Sequence, residues 1–255
     1  MTNKVLIVTG ASRGIGRATA QYLLQQSHNV VVVARSEAPL QSLQEEYPRQ
    51  VAVLAGDFSD PSLGTKAVEL ATSRWGCLDG VVVNHGTLGT VGKIADASTQ
   101  EWSAAFNVNF FSAVALVQAA LPLLRHSRGR IVLVSSGAAV TAYRTWGAYG
   151  SSKAALNHLA LTLANEETQV TTVALRPGVV DTQMQTDIRE KHHPFMEPED
   201  AKRFAQLKSS GSLLRPEQPG HVMARLALEA HKELSGKFLS WNAEELAPYQ
   251  DSGNT

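Results

Sequence analysis

The fold is decided by one stretch near the start of this 255-residue chain, Lys4-Val5-Leu6-Ile7-Val8-Thr9-Gly10-Ala11-Ser12-Arg13-Gly14-Ile15-Gly16. Its first five residues form a β-branched run, which predicts a buried strand. A helical pattern follows from Arg17 to Gln26. Glycine allows the backbone between them to turn tightly and to approach a ligand closely. Such a turn directs backbone N–H groups and the helix N-terminus toward a diphosphate.

This glycine-rich turn therefore predicts a nucleotide-binding site rather than a strand-to-helix turn without a ligand. Its spacing, G-x-x-x-G-x-G, differs from the G-x-G-x-x-G of the common dehydrogenases. The candidate binding residues in the turn are Gly10, Ser12, Arg13, Gly14, Ile15 and Gly16.

The end of the second strand, Asn29 to Ala34, indicates which dinucleotide binds. NAD sites usually carry an acidic residue there, which holds the ribose hydroxyls. This chain has Arg35 instead, and Arg13 lies in the glycine turn. A guanidinium can pair with a 2′-phosphate, so the two arginines favour NADP over NAD. An NAD-dependent alcohol dehydrogenase is the alternative.

Strand and helix patterns alternate along the chain, which predicts a doubly wound α/β domain with a parallel sheet and helices on both faces. One domain is expected over residues 1–247. The further strands are predicted at Val51–Ala55, Val81–Val83, Ile131–Val134, Val170–Leu175 and Lys237–Trp241. The helices between them are predicted at Leu40–Tyr47, from an N-cap at Asp60 to Trp75, at Glu101–His126 and at Ala148–Glu166.

Tyr149 and Lys153 are the candidate catalytic pair, because residues four apart lie on one face of a helix. A free tyrosine has a pKa of about 10, and a nearby ammonium lowers it by favouring the phenolate. The pair is therefore a candidate device for proton transfer to a carbonyl, although an ordinary exposed helix pair has the same spacing.

Asn109 lies among apolar residues of another helix, where a buried amide requires hydrogen-bonding partners.

Two segments stand apart from the regular pattern. Residues 183–220 are polar, rich in proline and contain one short helical pattern, Glu199–Lys208. They follow a turn at the sheet end where ligands bind in open α/β folds, so we interpret them as a substrate lid rather than a plain surface insertion. Residues 248–255 are expected to form a disordered tail.

Composition excludes several other classes of function. Lys and Arg number 23, as do Asp and Glu, so no nucleic-acid stripe or membrane-binding basic patch is expected. Cys77 is the single cysteine, which argues for a reducing compartment such as the cytoplasm. No signal peptide and no apolar run of about 20 residues are recognised. His192 and His193 lack partners at metal-ligand spacing, so no metal site is expected.

Several weak motifs occur in one order along the whole chain, and together they resemble the short-chain dehydrogenase/reductase family. They are Thr9-Gly10-x-x-x-Gly14-x-Gly16, Asn84-x-Gly86, Asn109, Ser136, Tyr149-x-x-x-Lys153 and Pro177-Gly178-x-x-x-Thr182. The resemblance implies a single Rossmann domain with a seven-stranded parallel sheet. It also implies hydride transfer between NAD(P)H and a carbonyl or alcohol carbon.

The family roles can be carried over residue by residue. Tyr149 would protonate the carbonyl oxygen, Ser136 would hydrogen-bond it, and Lys153 would lower the pKa of Tyr149 and hold the nicotinamide ribose. Asn109 would hold a water linking Lys153 to solvent. The remaining cofactor contacts would be Asp57, Phe58, Asn84, Gly86, Pro177, Gly178, Val180 and Thr182. The family usually has alanine where this chain has His85, and that side chain is expected to point away.

The second half of the chain is most similar to the sepiapterin reductase branch, and within it to the benzil reductases. Ser240 stands where sepiapterin reductases carry an aspartate that anchors the pterin. The resemblance thus favours an NADPH-dependent reductase of aromatic diketones, with pterin reduction as the alternative. Trp146 and Met184 would join Ser136 and Tyr149 in binding substrate. A regulator that had lost the chemistry should lack part of the Ser/Tyr/Lys set, which is complete here.

The two long helical patterns, Glu101–His126 and Ala148–Glu166, carry apolar residues on more than one face. A helix that packs only on its own sheet has one apolar stripe. The pattern therefore predicts that these helices meet a partner surface, in a homodimer or a tetramer.

Overall fold

A seven-stranded sheet organises the structure, a computed structural model that describes residues 3–251. The strands are β1 Val5–Thr9, β2 Asn29–Ala34, β3 Val51–Ala55, β4 Gly80–Val83, β5 Arg130–Val134, β6 Thr171–Arg176 and β7 Phe238–Ser240. They lie in the order β3-β2-β1-β4-β5-β6-β7, and every neighbouring pair is parallel. The strand order reverses between β1 and β4, which opens a crevice at the carboxyl ends of these strands. The predicted doubly wound, seven-stranded fold is confirmed.

Helices cover both faces of the sheet. The α-helices of residues 3–251 are α1 Gly14–Gln25, α2 Glu37–Glu46, α3 Leu63–Trp75, α4 Thr99–Phe106, α5 Ser112–Ser127, α6 Gly147–Glu166, α7 Gln183–Asp187, α8 Pro198–Ser209 and α9 Glu217–Glu229. One core lies between the sheet and helices α1, α2 and α9, and the other between the sheet and α3, α5 and α6. The central strands are therefore buried on both sides, which explains why they read as continuous valine-rich runs.

Several helix boundaries differ from the sequence prediction for local reasons. Helix α3 begins at Leu63, with Ser62 and not Asp60 at its N-cap. The Asp60 carboxylate instead accepts hydrogen bonds from the N–H and hydroxyl of Ser62, at 2.9 and 2.7 Å, and so closes the turn before the helix. Helix α1 begins at Gly14, within the glycine turn. The turn therefore leads into the helix without a spacer.

The long pattern predicted at Glu101–His126 is a continuous helical rod with a change of winding in its middle. Residues Asn107–Phe111 form a π-helical segment between α4 and α5. Ser98 and Glu101 form a capping box at the start of α4. Such π segments occur often at functional sites, and this one contains Asn109.

The same rod, Thr99–Ser127, is long and apolar enough to cross a membrane by length and composition alone. This corrects the expectation that no such run exists. Its inner face, which includes Leu116, Val117 and Leu124, packs against the sheet in the α3–α5–α6 core. One face of the rod therefore forms part of the core of this domain.

Residues 183–220 contain more helix than expected: α7, a π-helical turn at Ile188–His192, a 3-10 turn at His193–Phe195, α8 and the start of α9. The expected disordered tail also differs at its beginning. Tyr249 is buried, and Asp251 forms an ion pair of 2.6 Å with Arg225. Residues 248–251 therefore pack on α9, whereas 252–255 lie outside the described residues.

Candidate active site

A cleft of about 1100 Å³ lies at the carboxyl ends of the central strands. A smaller pocket of about 120 Å³ adjoins it. The predicted site residues that line the large cleft are Gly10, Ser12, Arg13, Gly14, Ile15, Arg35, Asp57, Phe58, Asn84, Gly86, Tyr149, Lys153, Pro177, Thr182 and Met184. Those that line only the smaller pocket are Ser136, Trp146, Gly178 and Val180. Gly16 and Asn109, the remaining predicted site residues, line neither cavity.

The glycine turn has the close packing that its composition suggested. Gly10 and Gly14 adopt positive φ angles of 66° and 54°, which favour glycine. A Cβ on Gly16 would lie 2.3 Å from the carbonyl oxygen of Gly10. A side chain at 16 would therefore force α1 away from the turn.

Asn84 joins the end of β4 to the end of β1. Its side-chain amide donates to the carbonyl oxygen of Thr9 at 3.0 Å, and its backbone N–H donates to the Thr9 hydroxyl at 2.9 Å. These bonds fix the separation of the two strand ends, so Asn84 shapes the crevice from which β1 and β4 diverge.

Cationic side chains stand at the far end of the cleft. Arg35 is 76% exposed and pairs only loosely with Asp57, at 4.0 Å. A hydrogen bond from the Ser59 backbone N–H holds the pKa of Asp57 below its usual range. Arg13 is also exposed on the cleft wall. Both guanidinium groups are therefore accessible to an anion.

Tyr149 and Lys153 are buried on α6, at 8% and 4% exposure. Burial raises the pKa of Tyr149, and its contact with the Ser136 hydroxyl opposes that rise. The Ser136 oxygen is held by the Ala138 N–H at 3.1 Å. A phenol with a raised pKa stays protonated at neutral pH, so Tyr149 carries a proton in the free site.

Lys153 lies near Tyr149 on α6 and is hydrogen-bonded to the end of β5. Its ammonium donates to the carbonyl oxygen of Val134 at 2.8 Å and lies 5.9 Å from the centre of the Tyr149 ring. Burial lowers the pKa of Lys153 to about 8. Burial disfavours the charged form of each group, so the pKa of the phenol is raised and that of the ammonium is lowered.

Asn109 finds its hydrogen bonds in the walls of the site. Its amide oxygen accepts from the Thr87 N–H at 2.8 Å, and its amide nitrogen donates to the Thr87 carbonyl and the Ser152 hydroxyl at 2.9 and 3.0 Å. A Cβ on Gly86 would lie 3.3 Å from both the Asn109 oxygen and the Lys153 nitrogen. Asn109 thus ties the loop after β4 to α6 and lies beside the lysine.

His85 is a site residue whose role the sequence did not indicate. It is buried and stacks on Phe58, with ring centres 3.6 Å apart and planes 4° apart. Its ring nitrogens contact the hydroxyls of Thr9 and Ser112 at 2.8 and 2.7 Å. Burial, assisted by the charge of Lys153, lowers the pKa of His85 to about 3. The available signal was a histidine at position 85, between Asn84 and Gly86, where the family usually has alanine. The side chain was expected to point away, but it lines the large cleft.

The smaller pocket has an aromatic wall. Trp146 meets Tyr149 edge to face at 6.0 Å and stacks on Phe204 of α8 at 5.7 Å. Tyr143, Arg176, Gln185, Ile188 and Phe204 also line this pocket, and sequence reasoning missed them. Ser240 is not among the residues that line either cavity, although it pairs in register with Arg176, which lines the smaller one.

Comparisons with known proteins agree with this geometry. The family model for short chain dehydrogenase matches residues 4–193. The benzil reductase ((S)-benzoin forming) IRC24 of Saccharomyces cerevisiae is 45% identical, over 97% of this chain and 99% of its own. A benzil reductase ((S)-benzoin forming) of Bacillus cereus is 32% identical, over 92% and 98%.

A solved structure shares the whole architecture. The crystal structure of YIR035C, a short-chain dehydrogenase/reductase from Saccharomyces cerevisiae, has a TM-score of 0.95 and 42% identity. The alignment covers 98% of this chain and 100% of that one. With the family model matching most of its length, the chain belongs to the short-chain dehydrogenase/reductase family, an oxidoreductase family.

Proposed function

We propose that this protein is an NADPH-dependent carbonyl reductase that converts an aromatic vicinal diketone such as benzil to a single hydroxyketone. The observation that carries the proposal is the position of Tyr149, whose buried phenol lines both the large cleft and the smaller pocket. A proton donor at that junction can reach a carbonyl in the pocket while a dinucleotide fills the cleft. Two benzil reductases among the relatives support the choice of substrate.

The residues of the large cleft fit a dinucleotide. Gly10 and Gly14 adopt positive φ angles and have no side chains, so the backbone of the turn is open where a diphosphate would approach. As the family resemblance implies, Asp57 and Phe58 would contact the adenine, and Pro177 and Thr182, with Gly178 and Val180 of the adjoining pocket, would seat the nicotinamide. When bound, NADPH would supply the hydride.

The chain's own residues would do the remaining work. Ser136, held by the Ala138 N–H, would hydrogen-bond the carbonyl oxygen and orient it toward Tyr149. Tyr149 would give its proton to that oxygen. Lys153 would hold a positive charge near the phenol as the proton leaves, because opposite charge stabilises the phenolate. Trp146, Phe204 and Met184 would exclude water and contact the aryl groups.

Reduction of a pterin is the less favoured function. Ser240 has no charge to pair with an aminopyrimidine edge, and it lies outside both cavities. Apolar contacts alone separate similar flat substrates by only about 1–3 kcal/mol. We therefore expect the pocket to favour the diketone without excluding the pterin completely.

The test is NADPH oxidation with benzil and with sepiapterin, each measured as kcat/KM. We expect a higher value for benzil and a product in which one carbonyl remains. Preference for sepiapterin would overturn the substrate assignment and leave the reductase assignment in place. Failure on a wider panel of diketones, quinones and ketosteroids would overturn the reductase assignment. The single Cys77 favours a cytoplasmic site for this activity.

A further inference from the structure

The smaller pocket contains one charged side chain among the residues of 3–251 that line it, Arg176. We infer that Arg176 lets the site also bind and reduce ketones with a neighbouring carboxylate, that is, aromatic 2-keto acids, beside the neutral diketone. This inference deepens the proposed reductase function and rests on it.

The fold places the guanidinium beside the carbonyl-binding hydroxyl. Arg176 is the last residue of β6 and is half-buried. A Cβ on Gly137 would lie 3.1 Å from its Cζ and Nε and 3.2 Å from its Nη2. The guanidinium therefore lies against the backbone of Gly137, the residue after Ser136. A group bonded to the ketone carbon would thus reach Arg176 while Ser136 holds the ketone oxygen.

Arg176 has no carboxylate partner within residues 3–251. The nearest acidic residue along the chain, Asp181, is engaged by Lys208 at 2.8 Å. The other pocket walls are neutral and largely apolar. A guanidinium that is partly withdrawn from water favours an anionic acceptor, and its planar fork matches a carboxylate bidentately.

The reaction on such a substrate is the proposed reduction, with one added contact. Bound NADPH would supply the hydride that forms the new C–H bond as the carbonyl π bond breaks, and the oxygen would take the proton of Tyr149, which becomes a phenolate. The products are a 2-hydroxy acid and NADP⁺. The carboxylate keeps its charge throughout and pairs with Arg176, so it positions the ketone without taking part in electron transfer.

Phenylglyoxylate and its methyl ester form the test pair, because they share the phenyl ketone and differ in charge. The measured quantity is the ratio of kcat/KM for the acid to that for the ester, with NADPH. For Arg176→Gln we expect this ratio to fall about 10- to 100-fold, as expected for a lost charge-assisted hydrogen bond. Arg176→Lys should retain part of the ratio, since the charge remains and the fork is lost.

Two further variants distinguish this role from a general loss of structure. Gly137→Ala should lower the ratio as well, because the new methyl group would displace the guanidinium. Arg74→Gln is the matched control. Arg74 lies on α3, outside both cavities, with its guanidinium 5.4 Å from the centre of the Trp75 ring. This variant should keep the wild-type ratio.

The outcomes separate the two proposals. If the wild type reduces the ester and benzil but not the acid, or if Arg176→Gln keeps the wild-type ratio, the role of Arg176 is overturned and the reductase assignment stands. If the wild type reduces none of the three, the proposed function is overturned and this inference falls with it.

Discussion

At the scale of single residues, Tyr149 carries the strongest claim. We predict that Tyr149→Phe removes nearly all benzil reduction while NADPH binding stays largely intact. The phenol is the acid at the pocket junction, and general acid catalysis contributes roughly 10²–10⁴-fold. The measurements are kcat and the Kd for NADPH by fluorescence. Turnover within a few-fold of wild type would show that another group donates the proton.

Arg35 tests the choice of dinucleotide. Arg35→Ala should raise the KM for NADPH and barely change that for NADH, because the guanidinium would meet only the 2′-phosphate. A charge-assisted hydrogen bond of this kind contributes about 1.5–3 kcal/mol. Both KM values are measured with one carbonyl substrate at saturation. Equal losses with the two cofactors would contradict the assignment.

His85 should make stability fall in mild acid. Its pKa is about 3 in the folded protein, whereas an unfolded histidine titrates near 6.5, at about its model-peptide value. Between these values the unfolded chain binds a proton that the folded chain does not, so the stabilisation is complete above pH 6.5 and is lost as pH falls toward 3. From pH 7 to 5 this loss amounts to about 2 kcal/mol.

The measurement is urea unfolding at the two pH values for wild type, His85→Ala and a control at the exposed His158. The alanine variant should start less stable, because it leaves the Thr9 and Ser112 contacts unmade, but should lose about 2 kcal/mol less on acidification. An identical pH dependence in wild type and His85→Ala would contradict the low pKa.

At the scale of elements, the strands were the most predictable features. Buried parallel strands need apolar β-branched residues on both sides, and the resulting runs mark all seven positions to within a few residues. Helix α9 was missed because Pro216 and Pro219 suggested a loop. Both prolines lie at its first turn, where a missing N–H removes no intrahelical bond.

The π-helical segment Asn107–Phe111 was also beyond sequence reasoning. Apolar periodicity alone does not distinguish a local change of winding within a longer helical pattern. Asn109 was nevertheless identified as a buried amide that needs partners, and the structure supplies them in Thr87 and Ser152. Residue chemistry predicted the need for hydrogen bonds, whereas the geometry that meets it required the fold.

Helix α8 provides a test of the proposed lid over residues 183–220. Phe204 is 3% exposed and stacks on Trp146, so it joins the lid to the pocket wall. We predict that Phe204→Ala raises the KM for benzil several-fold and leaves the KM for NADPH unchanged, because the large cleft does not include this side chain. Phe195→Ala, at an exposed position of the same segment, is the control. A parallel change in both KM values would favour general destabilisation.

At the scale of the whole molecule, the topology assembles the site from distant parts of the chain. The ends of β1, β4, β5 and β6 bring Gly10, Asn84, Ser136 and Pro177 to one edge of the sheet. Because parallel strands place their carboxyl ends together, the cleft could be predicted from strand order. The smaller pocket could not, since Phe204 reaches it only through the path of the lid.

Exposed apolar side chains on the outer surface of the helices around α5 and α6 lead us to predict a homodimer. Phe111, at the end of the π segment, is 54% exposed, and Leu161 on α6 is 51% exposed. Burying such side chains contributes about 1.5–3 kcal/mol each, so a second copy of the chain is a favourable cover for both.

Sedimentation at micromolar concentration should show twice the mass of 27.4 kDa. Leu161→Glu should shift the equilibrium toward monomer, whereas Ile94→Glu, at an exposed loop position, should not. A wild-type monomer at that concentration would refute the assembly and leave the catalytic proposal untouched, because each copy holds a complete site.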